Sequence, residues 1–429
     1  ERFYTEAQDW KALVRVYRRM IKRLFEKGMN ELRARFWNGL GVVVLRYLGD
    51  REAAILALEV ASSIDRENMA RHELLADLYV EVGPSAIDKA IAEHQFIVSR
   101  RPDRIESYQA LAALFQQRRA YDQLWCVAGA LTHLGHADHY LRTFWERHRM
   151  AEVPVAVRKM DHEQWQKVVH PKEDPFIGGL FALLAQVLAQ TTAQRHQSVG
   201  VKRSDRIDLT SQWLPAAALR YVSSSMELPL PDLFLRESDP QTVSIYNLRD
   251  RGGLTPALVL GQGFMQWSSQ WEMVFDLGKR MAFMRPERFA RFALMTPVAL
   301  DIAVRAALAL GGAPIGHGPH NGEVERTRSK LAELVPQPLA AELSVLAKRF
   351  LEARGEIIDI PSWIAAADLT AARAAFVLSS DLPSAVRVLS AEPAGLTPVP
   401  LAERIKDLVA YSVSEEYFAV RQALGLQVV

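Results

Sequence analysis

The chain has 429 residues, of which 49% are hydrophobic and 24% charged, and its formal net charge is +2. This length allows one to three domains with full cores, and this composition argues against a disordered chain and against a dedicated nucleic-acid binder. The single cysteine, Cys126, excludes an intrachain disulfide framework and fits a reducing compartment. No stretch approaches the roughly 20 apolar residues of a membrane span, and the first residues lack the apolar core of a signal peptide. We therefore expect a cytoplasmic protein without a membrane span, and the missing initiator Met leaves open whether the chain is a fragment of a longer protein.

Residues 1–150 contain an internal repeat. The segment 72–79 (HELLADLY) recurs as 108–115 (YQALAALF), an offset of 36, and the segment 86–91 recurs as 120–125, an offset of 34. An earlier partial copy runs through 49–55. Pro102 lies between the copies, where a helix must stop, because proline cannot continue it. The pattern predicts an array of helical hairpins over residues 1–150.

This repeat resembles the tetratricopeptide repeat family over about residues 30–145. The resemblance rests on a small residue in each copy, Ala76 or Ala112, followed by an apolar–aromatic pair at 78–79 or 114–115. It implies a concave surface that binds an unidentified protein or peptide, whereas the alternative is that the helices only brace the second domain. If the first helix of each hairpin lines the inner side, the expected exposed contact residues are His72, Asp77, Tyr108 and Gln116.

Two further patterns in this region carry weaker functional readings. Residues 14–24 (VRVYRRMIKRL) place five basic residues among apolar ones at helical spacing. A solvated helix face explains them best, and binding to nucleic acid or an acidic partner is the alternative. His133, His136 and His139 have a spacing that occurs in metal sites, but Gly135 is expected to break the helix between them.

After residue 150 the pattern changes, and it predicts a connector at 151–175 and an α+β domain at 176–429. Short, partly β-branched runs at 233–236, 242–246 and 257–260 predict about three strands in a meander. Ser268 or Ser269 then caps a helix that runs through Met284, with an apolar stripe on one face. The predicted fold class is thus mostly α: a helical-hairpin array joined to an α+β domain whose small sheet packs on helices.

The order of these elements resembles the HExxH gluzincin peptidases of the HtpX–BepA group over about residues 210–380. The matching pieces are 230–235, 245–248, 255–261 and 271–278. In that family, two histidines one helical turn apart bind zinc, and the glutamate between them takes a proton from the metal-bound water. The resemblance assigns the ligand positions to Gly278 and Ala282, the base position to Lys279, and the later glutamate ligand to Asp368.

Those substitutions imply a degenerate domain. Neither Gly278 nor Ala282 has a side chain that can ligate a metal, and Lys279 brings positive charge where a base is required. We therefore expect no cofactor and no peptidase activity, and the leading interpretation is a non-enzymatic interaction scaffold. One alternative is a metallohydrolase with displaced ligands drawn from His317, His320, Asp368 or the histidines at 133–139. A second alternative is a nucleic-acid-associated factor that uses the basic N-terminal helix.

Overall fold

In the computed structural model, the residues described are 2–26, 28–154, 158–250, 253–314, 320–393, 395 and 397–428. They divide into two compact units, Glu1–Phe144 and Trp145–Val429. The fold is mostly helical with one small sheet of three strands, which confirms the predicted fold class. Across the described ranges, no helix has both the length and the apolar character needed to cross a bilayer.

The first unit is built from consecutive helices that pack against their neighbours in the chain. Asp50 and Asn68 begin two of them, where each side chain accepts a hydrogen bond from a backbone N–H of the first turn. The helices are α1 (Arg2–Glu6), α2 (Trp10–Glu26), α3 (Asn30–Val43), α4 (Arg51–Ile64), α5 (Met69–Val82), α6 (Ile87–Arg100), α7 (Ile105–Arg118) and α8 (Tyr121–His133), and α9 (His139–Arg147) crosses the boundary.

The internal repeat corresponds to two successive helix pairs. Helices α5 and α7 begin 36 residues apart, at Met69 and Ile105, and α6 and α8 begin 34 residues apart, at Ile87 and Tyr121. These intervals equal the offsets of the sequence repeat. The two copies of the first segment lie in the first helices of the two pairs, and the two copies of the second segment lie at the starts of the second helices.

An additional pair, α3 with α4, precedes them and depends on Gly41. A Cβ added at Gly41 would lie 2.7 Å from Leu58 Cγ and 3.2 Å from the carbonyl oxygen of Ala54, so the two helices approach too closely for a side chain. Ala76 and Ala112 follow at intervals of 35 and 36 residues and are also buried. A small residue in the first helix is therefore a shared feature of three successive pairs.

The second unit combines the remaining helices with the sheet. Its start, 151–175, was predicted as a connector, but it contains a helix whose Trp165 and Val168 are buried. The helices are α10 (His162–Val168), α11 (Pro175–Thr191), α12 (Leu214–Met226), α13 (Gln262–Met265), α14 (Gln270–Ala282), α15 (Phe289–Ala293), α16 (Pro297–Leu310), α17 (Asn321–Leu334), α18 (Gln337–Arg354), α19 (Ile360–Ser379), α20 (Leu382–Ala391), α21 (Leu401–Tyr411) and α22 (Glu415–Leu424).

The sheet consists of β1 (Asp232–Arg236), β2 (Val243–Asp250) and β3 (Gly253–Gly261), in the order β1-β3-β2. Strand β3 pairs in parallel with β1 and antiparallel with β2, so the predicted meander is wrong. The reason lies in burial: residues 257–260 of β3 are fully buried, and the most apolar strand occupies the centre, where neighbours cover both of its edges.

Helix α14 follows the sheet and lies at the centre of the second unit. Ser269 caps it, with Glu272 completing a capping box, so the predicted helix start is confirmed. The helix packs against α12, α19 and α20. All side chains from residue 274 to residue 282 are buried. Helix α14 is thus a core helix, covered on every side.

Candidate functional site

The positions that the gluzincin resemblance assigns to metal ligands lie in a packed helix contact. Gly278 faces α19, where an added Cβ would come within 3.2 Å of both Cα and Cβ of Ala375. Ala282, one turn later, is fully buried. Since both positions are filled by neighbouring backbone and side chains, they line no open cleft.

The position assigned to the catalytic base holds an ion pair. Lys279 Nζ donates hydrogen bonds to both carboxylate oxygens of Glu392, over 2.5 and 2.7 Å. Two more cations reach the same carboxylate: Arg280 Nη2 lies 3.3 Å from Oε1, and Arg404 Nη1 donates to Oε2. One buried carboxylate therefore holds three cations, from α14 and α21, around the end of α20.

This arrangement fixes the charge of the cluster. Burial favours a neutral Glu392, but the attraction of Lys279, Arg280 and Arg404 prevails and lowers its pKa below the ordinary value. Burial lowers the pKa of Lys279, and attraction to Glu392 opposes that shift. Glu392 is thus an ionised anchor, and its oxygens are occupied by donors rather than free to activate water.

A second buried acid, Asp276, lies one turn before Arg280 on α14. Trp267 Nε1 donates to Asp276 Oδ2 over 3.1 Å, while Arg280 Nε is 3.7 Å from Oδ1. Burial raises the pKa of Asp276, and Arg280 offsets this only in part. Among the described atoms, Oδ1 accepts no hydrogen bond. Asp276 is therefore held towards its neutral form inside the core.

Asp368, assigned to the third ligand position, forms an ion pair with a cation. Its two oxygens accept hydrogen bonds from Arg291 Nε and Nη2 over 3.2 and 3.3 Å, and its side chain is 4% exposed. Asp368 lies on α19, the helix that packs on α14, and its charge, like that of Glu392, opposes the lowering of the Lys279 pKa by burial. The four positions that the resemblance assigns to a zinc site thus lie on two packed helices, α14 and α19. The charged residues among them form ion pairs.

In the first unit, two of the four expected contact residues are buried. His72 Nδ1 lies 2.5 Å from Glu93 Oε2 and Nε2 lies 2.9 Å from the carbonyl oxygen of Arg66, while the Tyr108 hydroxyl donates to the carbonyl oxygen of Pro102. His72 thus joins the start of α5 to α6 and to the preceding loop, and Tyr108 joins the start of α7 to its preceding loop. The expectation that these two side chains are exposed is wrong. Asp77 and Gln116 are exposed, as expected.

Asp77 lies within an acidic row on α5. Glu73, Asp77 and Glu81 are four residues apart and share one helix face. Burial, followed by repulsion from Glu81 and Glu73, raises the pKa of Asp77. Glu73 is paired with Arg101 over 3.1 Å and Glu81 with Arg51 over 3.2 Å, whereas Asp77 has no ion-pair partner among the described side chains. Asp77 is therefore the member of this row most available to a cationic group.

The histidines considered as displaced ligands do not form a cluster. Helix α8 ends at His133, Gly135 has φ of +77°, and α9 begins at His139, so the helix breaks where predicted. His320 lies 3.9 Å from Glu323, and His317 falls outside the described residues. Among the side chains that the structure describes, no group of three or more His, Cys, Asp or Glu residues is placed to hold a metal ion.

Sequence reasoning missed most of the ionic network. It singled out Lys279 and Asp368 through the resemblance, but their partners Glu392 and Arg291 carried no local signal. Those partners lie 113 and 77 residues away in the chain. A weak signal does exist in α14 itself, where charged residues at 276, 279 and 280 interrupt the otherwise apolar stretch 273–282.

Comparison with protein-family models, with curated proteins and with solved structures finds no match to this chain.

Proposed function

We propose that this chain is a non-enzymatic interaction scaffold, in which the helical-pair array recognises a protein or peptide and the second unit is a degenerate peptidase-like domain. The proposal includes a relation of the array to tetratricopeptide repeats and a cytoplasmic location. The observation that carries it is the buried ion pair of Lys279 and Glu392 at the position where a zinc peptidase has its base.

The chemical reason is direct. A general base must reach a water molecule and accept its proton near neutral pH. Lys279 is a donor whose hydrogen bonds go to Glu392, and its side chain is only 3% exposed. Gly278 and Ala282 supply no ligand that would bring water and metal together. The same helix that carries the chemistry in a zinc peptidase thus serves as a structural element in this proposal.

The array supports the interaction half of the proposal. Its helix pairs follow one another, each with a buried small residue in the first helix, which is typical of repeat proteins that bind partners along a continuous surface. On the first helices of two pairs, Asp77 and Gln116 are exposed, and Asp77 lies in the acidic row of α5. We propose these two residues as contact residues, with a partner segment that carries basic side chains.

Crosslinking in the full chain tests this assignment. A photoreactive residue at position 77 or 116 is expected to capture the same partner, whereas the exposed position 333 on α17 serves as a control and should not capture it. Titration of the identified partner should then show a loss of at least about tenfold in affinity for Asp77→Arg with Gln116→Arg, since both substitutions place a positive charge against basic side chains of the partner. Equal capture from position 333, or cleavage of the partner by the chain, would contradict the proposal.

A further inference from the structure

Helix α2 presents a continuous cationic face. Its apolar side chains, among them Leu13, Tyr17, Ile21 and Leu24, are buried against the rest of the first unit. The opposite side is exposed and consists of Lys11, Arg15, Arg18, Arg19, Lys22 and Arg23.

The six cations are arranged in rows. Lys11, Arg15, Arg18 and Lys22 follow the spacing i, i+4, i+7 and i+11, which places them on one line about 16 Å long at 1.5 Å rise per residue. Arg19 and Arg23 lie beside this line, one and two turns after Arg15. Because both rows belong to a single rigid helix that is anchored by its other face, the charges are held at fixed spacing.

These cations have no ion-pair partners among the described side chains. Several arginines elsewhere in the first unit are paired: Arg71 pairs with Asp65, Arg100 with Glu67, Arg101 with Glu73, and Arg118 with Asp88. Like charges on adjacent helical turns repel one another, so an uncompensated row is unfavourable in the isolated chain. The anionic complement is thus missing from the described part of the molecule.

We propose that the cationic face of α2 binds the surface of an anionic lipid bilayer, without insertion of the helix. Rows of lysine and arginine on an amphipathic helix are attracted to anionic headgroups, and each cation near such a surface contributes roughly fivefold to partition. Phe25, 68% exposed, lies three residues after Lys22 and seven after Arg18, on the edge of the same face. The Arg33 guanidinium lies 4.9 Å from the centroid of its ring, and in this proposal the ring contacts the headgroup region at the end of the cationic row.

The composition of the face favours a bilayer over the other polyanions. A surface that reads nucleic-acid bases combines its Lys and Arg with neutral hydrogen-bonding side chains such as Asn and Gln, or with interleaved aromatic platforms. Helix α2 contains no Ser, Thr, Asn or Gln, and between Lys11 and Arg23 its exposed face carries only Lys and Arg. An acidic protein partner is expected to need an apolar anchor within the contact, and this face has none before Phe25.

Co-sedimentation of the full-length chain with vesicles tests the proposal. At about 0.1 M NaCl we expect binding to phosphatidylcholine vesicles that contain roughly a third phosphatidylglycerol, no binding to pure phosphatidylcholine, and release as the salt rises to about 0.5 M. The variant Lys11→Gln, Arg15→Gln, Arg18→Gln and Lys22→Gln should reduce partition at least about tenfold. Glutamine is a good helix former, so α2 should remain folded, which circular dichroism checks.

A matched control removes the same amount of charge elsewhere. Arg142, Lys330, Lys348 and Arg349 are exposed and have no ion-pair partner among the described side chains. Their replacement by glutamine should leave vesicle partition within about twofold of the parent chain, because they lie outside the face. Phe25→Ala should weaken partition without changing its salt dependence.

Three outcomes would overturn the proposal. The first is an absence of binding to the anionic vesicles. The second is an equal loss in the control variant, which would make the attraction a property of net charge. The third is salt-dependent binding to a DNA duplex or to single-stranded RNA that is lost in the α2 variant while vesicle binding is not, which would assign the face to nucleic acid.

Discussion

Lys279 and Glu392 form an ion pair between residues 113 positions apart in the chain, with side chains only 3% and 2% exposed. The pair joins α14 to the residue after α20, and Arg280 and Arg404 bring two further cations to the same carboxylate. A buried ion pair contributes little net stability relative to an apolar pair of the same shape, but loss of one partner leaves an uncompensated charge. The cluster therefore makes the fold sensitive to each of its members.

The first prediction concerns this sensitivity. Lys279→Met should lower the free energy of unfolding by about 3 kcal/mol, the lower end of the roughly 3–5 kcal/mol typical for loss of one partner of a buried pair, because Arg280 and Arg404 still compensate part of the Glu392 charge. Glu392→Gln should cost more than Lys279→Met, since it leaves three cations without their carboxylate. Urea unfolding followed by circular dichroism measures both.

The exposed pair of Lys406 and Glu403, 3.2 Å apart, provides the control. Its two side chains are 50% and 58% exposed, so Lys406→Met should change stability by less than about 1 kcal/mol. A Lys279→Met variant as stable as the Lys406→Met variant would show that the cluster is open to water.

The second prediction concerns restoration of the zinc motif. Gly278→His, Lys279→Glu and Ala282→His together should destabilise the chain severely. An added Cβ at Gly278 already meets Ala375 at 3.2 Å, and Lys279→Glu places a second carboxylate beside Glu392. Buried polar groups without partners add to this cost. Thermal unfolding of the purified variant is the measurement.

Gly322 provides the matched control, because it also lies in a helix, α17, but has no atom within 4 Å of an added Cβ. Gly322→His should be tolerated, while Gly278→His alone should lower the melting temperature clearly. Equal melting temperatures for the two single variants would mean that α14 borders an open cleft.

The comparison of sequence with structure shows which features are local. The start of α14 was predictable because Ser269 and Glu272 form a capping box within four residues, and the helix pairs because their repeat is a sequence pattern. The strand order was not predictable, because the central position of β3 depends on how much of each strand the surrounding helices cover. His72 and Tyr108 were misjudged for a similar reason: their helix positions were right, but their hydrogen bonds to Glu93 and Pro102 turn them inward. The ion pairs of Lys279 with Glu392 and of Arg291 with Asp368 join residues 113 and 77 positions apart, and no spacing in the sequence encodes them.

The third prediction concerns pH. Burial lowers the pKa of His94 to about 4, whereas an unfolded histidine titrates near 6.5. Between these values the unfolded chain binds a proton that the folded chain does not, so stability is complete above about pH 6.5 and falls as the pH approaches 4. The loss from this residue amounts to up to about 3 kcal/mol.

His170 contributes to the same loss of stability, because burial and then Arg373 lower its pKa to about 4 as well. Replacement of His94 therefore isolates the part of the loss that is due to His94. His94 Nε2 has no hydrogen-bond partner among the described atoms, and Nδ1 lies 3.3 Å from Ser107 Oγ. His94→Leu should therefore change stability little at pH 7.5 and should reduce the loss between pH 6.5 and 4.5. The same change at the exposed His136 is the control, and an identical pH profile for both variants would contradict the assignment.

The fourth prediction concerns metal content. The full-length chain, purified without chelators, should contain far less than one zinc per chain, because Gly278 and Ala282 provide no ligands and Lys279 places a cation beside them. Elemental analysis of the protein after dialysis against zinc-containing buffer gives the upper limit. A content near one zinc per chain would contradict the scaffold proposal, and its loss in His317→Ala with His320→Ala would then favour the metallohydrolase with displaced ligands. Retention of zinc in that variant but not in Asp368→Asn would instead assign the metal to the region of α19, where Arg291 now holds the carboxylate.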